Sequence, residues 1–240
     1  TATLHGLIAA DEGRVTAILT YTGTANDGIT RYDNSTEAPK LAGTYTVTAT
    51  VSGGNYTLTG VTSAVYVIER ATVELPTAES KDYTGAPLTS DLIETDDYTV
   101  TQGTDWVNAG RYEVVLTLKD SANYRWANIS GAEATVWFEI EQAENAFVSD
   151  PVLNGWTYGG TANEPGGAEA KYGTVVYLYS ESEEGEYTAT VPTAAGTYYV
   201  KAFVAETANW AAAESAAVSF TIGRASVSVP FFRLSGSRYT

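Results

Sequence analysis

The sequence predicts an all-β chain, a tandem array of antiparallel β-sandwich modules forming an elongated rod. Three observations carry that expectation. First, a small-Gly-x-Tyr segment occurs three times, each followed, eleven or twelve residues after its Tyr, by the aromatic of an Asn-aromatic pair. The copies read AGTYTVTATVSGGNY (Ala42 to Tyr56), AGRYEVVLTLKDSANY (Ala109 to Tyr124) and AGTYYVKAFVAETANW (Ala195 to Trp210). Self-similarity at about 70 to 85 residues marks one supersecondary unit repeated, not one site elaborated. Second, the residues after each Gly alternate in polarity, which is the period of a half-buried strand. Third, short runs rich in Val, Thr and Tyr lie between Gly and Asn turns, with no convincing run at the helical period, so helices are expected only as single turns.

In chain order, Tyr45, Val47, Ala49 and Val51 alternate with threonines and fill the inward phase of the first long strand. Tyr112, Val114, Leu116 and Leu118 repeat that phase, as do Tyr198, Val200, Ala202 and Val204. A second alternating strand closes each module. Ala64, Tyr66 and Ile68 correspond to Val136, Phe138 and Ile140 and to Val218, Phe220 and Ile222, and all are expected in the core. Trp210 takes the slot of Tyr56 and Tyr124 and is expected to plug its own module's core. Asn55 is read as a turn residue beside a buried Tyr.

After each closing Ile come Glu69-Arg70-Ala71, Glu141-Gln142-Ala143 and Gly223-Arg224-Ala225, each running into another alternating stretch with no Gly/Ser or Pro-rich linker. Such joints leave little freedom. The expected modules are residues 1–69, 70–141 and 142–223, with 224–240 the first strand of a following module. The first module begins near Leu4 to Arg14, which aligns with Ser90 to Tyr98, and is expected to lack its opening strand. The tail Ala225 to Thr240 carries Phe231 and Phe232, which prefer burial, and is expected to fold back on the third module or to pair with the open first module of another copy.

Composition sets the chemical limits. With 44% apolar and 12% aromatic residues in 240, sizeable cores are available. Thirteen Lys and Arg stand against 29 Asp and Glu, a formal charge of -16 that repels nucleic acid and anionic lipid head groups. No apolar run is long enough for a membrane-spanning helix, and no membrane insertion is expected. There is no Cys for disulfides or thiolate metal sites and no Met, so the chain is expected to be an excised or processed piece.

No catalytic constellation emerges. His5 is the only histidine, which excludes Ser-His-Asp and multi-histidine zinc sites. The acidic runs Asp96-Asp97 and Glu181 to Glu186 lack the Asp-x-Asp-x-Asp-Gly spacing that surrounds a calcium ion and are read as solvated charge. Ser180 to Glu186 is expected to form a hairpin-like insertion in the third copy. Paired glycosidase carboxylates carry no specificity among so many acids. Asn34, Asn55 and Asn128 open glycosylation-type triplets and are read as chance matches. Lys119 and Lys201 fall on the outward phase of their strands, against a buried isopeptide bond. No enzyme, cofactor or metal is expected. Trp137 aligns with Val65 and Ser219 on the outward face, Trp156 with Lys81 and Ser237, and Trp106 with Pro39 and Pro192. These three are read as at least partly exposed. They are the candidate contacts for a host glycan or surface protein, the alternative being packing between modules.

The combination AGTYTVTATVSGGNYTL, the ERATVELP junction and KDYTG (Lys81 to Gly85) resembles the tandem immunoglobulin-like, MBG or YDG-type repeats of bacterial, mainly Gram-positive, surface proteins. The resemblance implies an extracellular region at the bacterial cell surface or wall: a non-catalytic stalk or spacer whose partners are neighbouring modules of the same protein. The alternative is an adhesin or carbohydrate-binding array using Trp106, Trp137 or Trp156. Strands of about eight residues at ~3.3 Å give modules of roughly 26 Å. Small-angle scattering is therefore expected to return a radius of gyration clearly above the compact value of roughly 18 Å for this length, and a compact value would overturn the rod.

Overall fold

Each motif glycine opens a nine-residue strand, and the reason is steric. A Cβ on Gly43 would stand 2.7 Å from the Tyr45 hydroxyl, and one on Gly196 would stand 3.2 Å from the Tyr198 ring. The Tyr two residues on therefore lies over the bare glycine on the same strand face. The computed structural model describes residues 2–230 and Gly236. The first copy contains β1 (Ala17–Ala25), β2 (Arg31–Ser35), β3 (Gly43–Val51) and β4 (Ser63–Ile68). Then come β5 (Ala71–Val73), β6 (Lys81–Asp82), β7 (Tyr98–Thr101), β8 (Gly110–Leu118), β9 (Tyr124–Trp126) and β10 (Glu133–Glu141). The third copy adds β11 (Phe147–Ser149), β12 (Trp156–Thr157), β13 (Glu169–Ala170), β14 (Val176–Ser180), β15 (Gly196–Val204), β16 (Ala213–Glu214) and β17 (Val218–Gly223). The only helix among the described residues is a single 3-10 turn, Ala9–Asp11. No helix there is long and apolar enough to cross a membrane.

Two compact units result: residues 1–80, 88–106 and 111–139, and residues 81–87, 107–110 and 140–240. These do not coincide with boundaries at 69/70 and 141/142. The loops at 81–87 and 107–110 join the residues after 140 because Lys81 and Asp82 pair with Ile140 and Glu141, the Tyr83 ring meets Trp210, and Ala109 bonds Asn209. In the first unit, β2-β1-β3-β4 form one sheet, β10, β8 and β7 lie side by side, and β5 pairs with β9. In the second, β12-β17-β15-β14 form a sheet with β16 on β15, and β11 pairs with β13.

The long strands pair as the alternation requires. Gly43 opposes Ile68 and Tyr45 opposes Tyr66, and Gly196 opposes Ile222 and Tyr198 opposes Phe220. The long strands are antiparallel, as expected, and the short pairs β5/β9, β6/β10 and β12/β17 are parallel. They are only two or three residues long, too short for a periodic signal. The acidic insertion is a hairpin, with Tyr179 and Thr188 exchanging backbone bonds of 2.7 and 2.9 Å.

The core sits on the inward phase. Val114, Leu116, Leu118, Trp126 and Phe138 are buried in the first unit, and Leu153, Tyr179, Val200, Phe220 and Ile222 in the second. The Trp126 indole N–H is satisfied by the Ala132 carbonyl at 2.9 Å. Of the nine closing-strand residues, Val136, Phe138, Ile140, Phe220 and Ile222 are buried, and Val218 and Ile68 are half-buried. Ala64 and Tyr66 are exposed, correcting the expectation for the first copy. Strand β4 ends its sheet, whereas β10 and β17 each carry a parallel neighbour on the same edge. Phe231 and Phe232 lie outside the described residues; Ala225 to Pro230 are described and form no strand.

Burial separates aligned positions. Phe138→Ala, at 0% exposure, is expected to cost about 3–5 kcal/mol, whereas Tyr66→Ala, at 38%, costs far less. Denaturant titration of the two variants checks this, and equal losses would show the burial assignment to be wrong.

Candidate functional site at the junctions between repeats

The two halves of the repeated motif meet between successive copies. The backbone N–H of Ala42, just before the first motif glycine, donates to Oδ1 of Asn123 in the second copy's Asn-Tyr pair at 2.8 Å. The Ala109 N–H donates to Oδ1 of Asn209 in the third copy's Asn-Trp pair, also at 2.8 Å. A strand-opening N–H has no ladder partner of its own, and a buried or half-buried one left unpaired is costly. The asparagine supplies the acceptor.

Matched groups close the joint. Arg70 Nη1 donates to the Ser121 carbonyl at 3.2 Å, and Gln142 Nε2, at the equivalent junction position, donates to the Thr207 carbonyl at 2.6 Å. The junction alanines Ala71 and Ala143 donate their N–H groups to the carbonyls of Asn123 (2.8 Å) and Asn209 (3.0 Å). Asn26 Nδ2 adds a bond to the Ala122 carbonyl at 3.4 Å. The chain then continues as a parallel pairing of Ala71–Val73 with Tyr124–Trp126, and as the bridge Ala143 to Trp210.

The two asparagines are held differently. Asn123 Nδ2 donates to Asp120 Oδ2 at 2.8 Å, and Asp120 Oδ1 also accepts the Ala122 and Asn123 N–H groups. Those bonds, the Asn123 side chain's first, hold the Asp120 carboxyl below its ordinary value, partly opposed by burial and by the charge of Asp27. In the third copy Asn209 Nδ2 donates to Asn108 Oδ1 at 3.0 Å, and the Thr207 hydroxyl accepts the Asn209 and Trp210 N–H groups.

Trp210 belongs to this joint and is not the core plug expected. It is half-buried, stacks on Tyr172 with centroids 3.5 Å apart, and meets the Tyr83 ring edge-on at 5.6 Å. Lys171 Nζ stands 5.5 Å from its ring. The loop that carries Asn209 to the preceding copy carries the indole with it.

The candidate tryptophans divide. Trp106 is half-buried and stacked on Tyr112 at 4.9 Å and Phe138 at 5.7 Å, and Trp156 is half-buried and stacked on Phe220 at 5.4 Å. Both therefore cover their own copy's closing-strand Phe. Trp137 is 50% exposed on the outward face of β10, with the Arg111 guanidinium 5.1 Å from its ring centroid. Lys119 pairs with Glu94 at 2.7 Å and Lys201 with Glu214 at 3.5 Å, both on the surface. Among the described residues no group of three or more His, Cys, Asp or Glu is placed to hold a metal. Beside the first joint an open cleft of about 720 Å³ is lined by Arg70, Glu74, Arg125 and Asn128 among others. The junction roles of Asn123, Asn209, Arg70 and Gln142 were missed by sequence reasoning, which read Asn55 as a turn residue and assigned no role to its counterparts. The available signal was the asparagine's fixed spacing from the aromatic in every copy.

The geometry defines an all-β protein whose repeated motif is a linking device. The family model described as the MBG domain matches residues 1–72, so the resemblance carried by the motif is shown over the first copy. No curated protein matches the chain.

The Asp120 linkage sets a pH dependence with its own control. A carboxyl whose folded value is lowered contributes stability that is complete above its unfolded value, about 3.9, and lost as pH falls through the folded value. Amide-exchange protection at Ala42, corrected for intrinsic rates, is expected to fall below about pH 4, while protection at Ala109, whose loop is held by the Thr207 hydroxyl, persists. Parallel loss at both would overturn the assignment.

Proposed function

We propose that this chain is a non-catalytic spacer, a length of stalk in a bacterial cell-surface protein. The observation that carries the reading is the asparagine clamp, made twice from the same motif halves with the same 2.8 Å bond. A device that fixes each repeat to its predecessor suits a region whose work is mechanical: to hold whatever lies beyond it at a distance. The MBG match supports an extracellular, surface-protein repeat region. The acidic surface, at a formal charge of -16, favours solubility over association with anionic envelopes. Neighbouring repeats are the partners this reading requires.

One observation favours a second reading, an adhesive array. Trp137 presents half its surface beside a guanidinium, an arrangement able to stack on a sugar face or to anchor a protein partner. Trp106 and Trp156 are spent on internal stacking and contribute less to that reading. A glycan-array and mucin-binding screen of the whole chain separates the two. The spacer reading expects no saturable binding. Saturable binding abolished by Trp137→Ala would replace it with adhesion.

A further inference from the structure

In the second and third copies a strand near the start of the copy lies parallel to the closing strand. Lys81 and Asp82 in β6 pair with Ile140 and Glu141 in β10, and Trp156 and Thr157 in β12 pair with Ile222 and Gly223 in β17. One further bond extends each pair at the same place. Tyr83 N–H donates to the Glu141 carbonyl at 2.9 Å, and Tyr158 N–H to the Gly223 carbonyl at 2.8 Å. In the third copy the fit is close: a Cβ on Gly155 would run into the Thr221 carbonyl, and the Trp156 ring stacks on Phe220 of β17 at 5.4 Å. On its other side β17 is antiparallel to β15, from Gly196 opposite Ile222 to Val200 opposite Val218.

We propose that this parallel pairing is a shear lock, which makes the third copy resist tension applied along the chain. Tension draws β12 back toward its entrance and β17 onward toward its exit. Because the two strands are parallel, those pulls are opposed along one axis and load the bonds across the pair together. No rung opens ahead of the others. An antiparallel pair pulled apart at one end, as β15 and β17 would be from Gly196 and Ile222, opens in succession, and each rung bears the whole load in turn. Resistance therefore depends on direction, although equilibrium stability does not. The second copy repeats the arrangement at β6 and β10. Use of the lock by a stalk rests on the spacer reading, whereas the lock itself rests only on strand direction.

The chain has no Cys, so pairs of introduced cysteines define where the full chain is held under constant force. Glu144→Cys with Arg224→Cys loads β12 against β17 in shear, and Ala195→Cys with Arg224→Cys draws β15 from β17 at one end. All three positions are exposed. Forced unfolding reads the unfolding rate. At equal force the shear attachment is expected to survive roughly tenfold longer or more before rupture, because several bonds must break together. Tyr158→Pro then tests the pairing itself. Gly160 N–H closes a turn on the Thr157 carbonyl at 2.8 Å with Gly159 at φ +81°, a turn that accepts Pro at its second position. The variant thus keeps the turn and removes the N–H bonded to Gly223, and it is expected to shorten survival in shear roughly two- to tenfold. Equal survival in the two directions, longer survival when the strands are drawn apart at one end, or a Tyr158→Pro chain that holds as long as its parent would each overturn the lock. Saturable glycan binding would remove the spacer reading and leave these expectations standing.

Discussion

An asparagine amide that grips the first N–H of the preceding repeat is the constraint from which the junctions follow. The residue before a motif glycine stands just ahead of a strand, and its N–H has no partner in the ladder that starts one residue later. Left alone it would be an orphan donor in a half-buried place. At Ala42 and Ala109 the partner is not water or a local side chain but an asparagine 81 or 100 residues onward. Three direct bonds recur at each joint, and at a net 0.5–1.5 kcal/mol apiece they contribute roughly 1.5–4.5 kcal/mol. Surface ion pairs such as Lys119 with Glu94 add at most about 1 kcal/mol each. The joint is held by directed hydrogen bonds, each with a backbone group on at least one side, and these fix local geometry where a charge pair would not.

The motif thus serves two directions at once. Its Gly-x-Tyr part works inward. The Tyr45 hydroxyl folds back over Gly43 to donate to the Leu41 carbonyl at 2.8 Å, and burial raises its pKa, so the phenol stays a donor. Its Asn-aromatic part works outward, on the copy before. The spacing of eleven or twelve residues is the six strand residues that follow the Tyr plus the five or six that bring the aromatic and its asparagine to the far end.

Much of this was legible. Period-two alternation located the long strands and their inward residues, because a half-buried strand writes burial directly into polarity. Phe138, Phe220, Ile140 and Ile222 followed from that phase. Tyr66 did not, because its burial depends on whether the outer edge of β4 is covered, a property of the neighbouring strand and not of its own. The short parallel pairs carry too few residues for any period. The tryptophans were ambiguous for a related reason. Alignment locates a residue on a strand face, as it did for Trp137, but Trp106 and Trp156 sit outside the long strands and lean on a core Phe from the side. The function of Asn123 and Asn209 was hidden by plausibility, since asparagine at a turn needs no further explanation.

Yet a turn alone does not call for asparagine. Glycine or serine would turn the chain, but neither reaches the N–H of another repeat. Aspartate would reach it and accept the bond, but at Asn123 it would set a second carboxylate against Asp120, where the amide Nδ2 now donates at 2.8 Å, on a chain already at a formal charge of -16. At Asn209 the same Nδ2 finds the side-chain oxygen Oδ1 of Asn108, which a carboxylate would repel. Only a short neutral amide accepts on one side and donates on the other without adding charge. That requirement accounts for the residue in both joints.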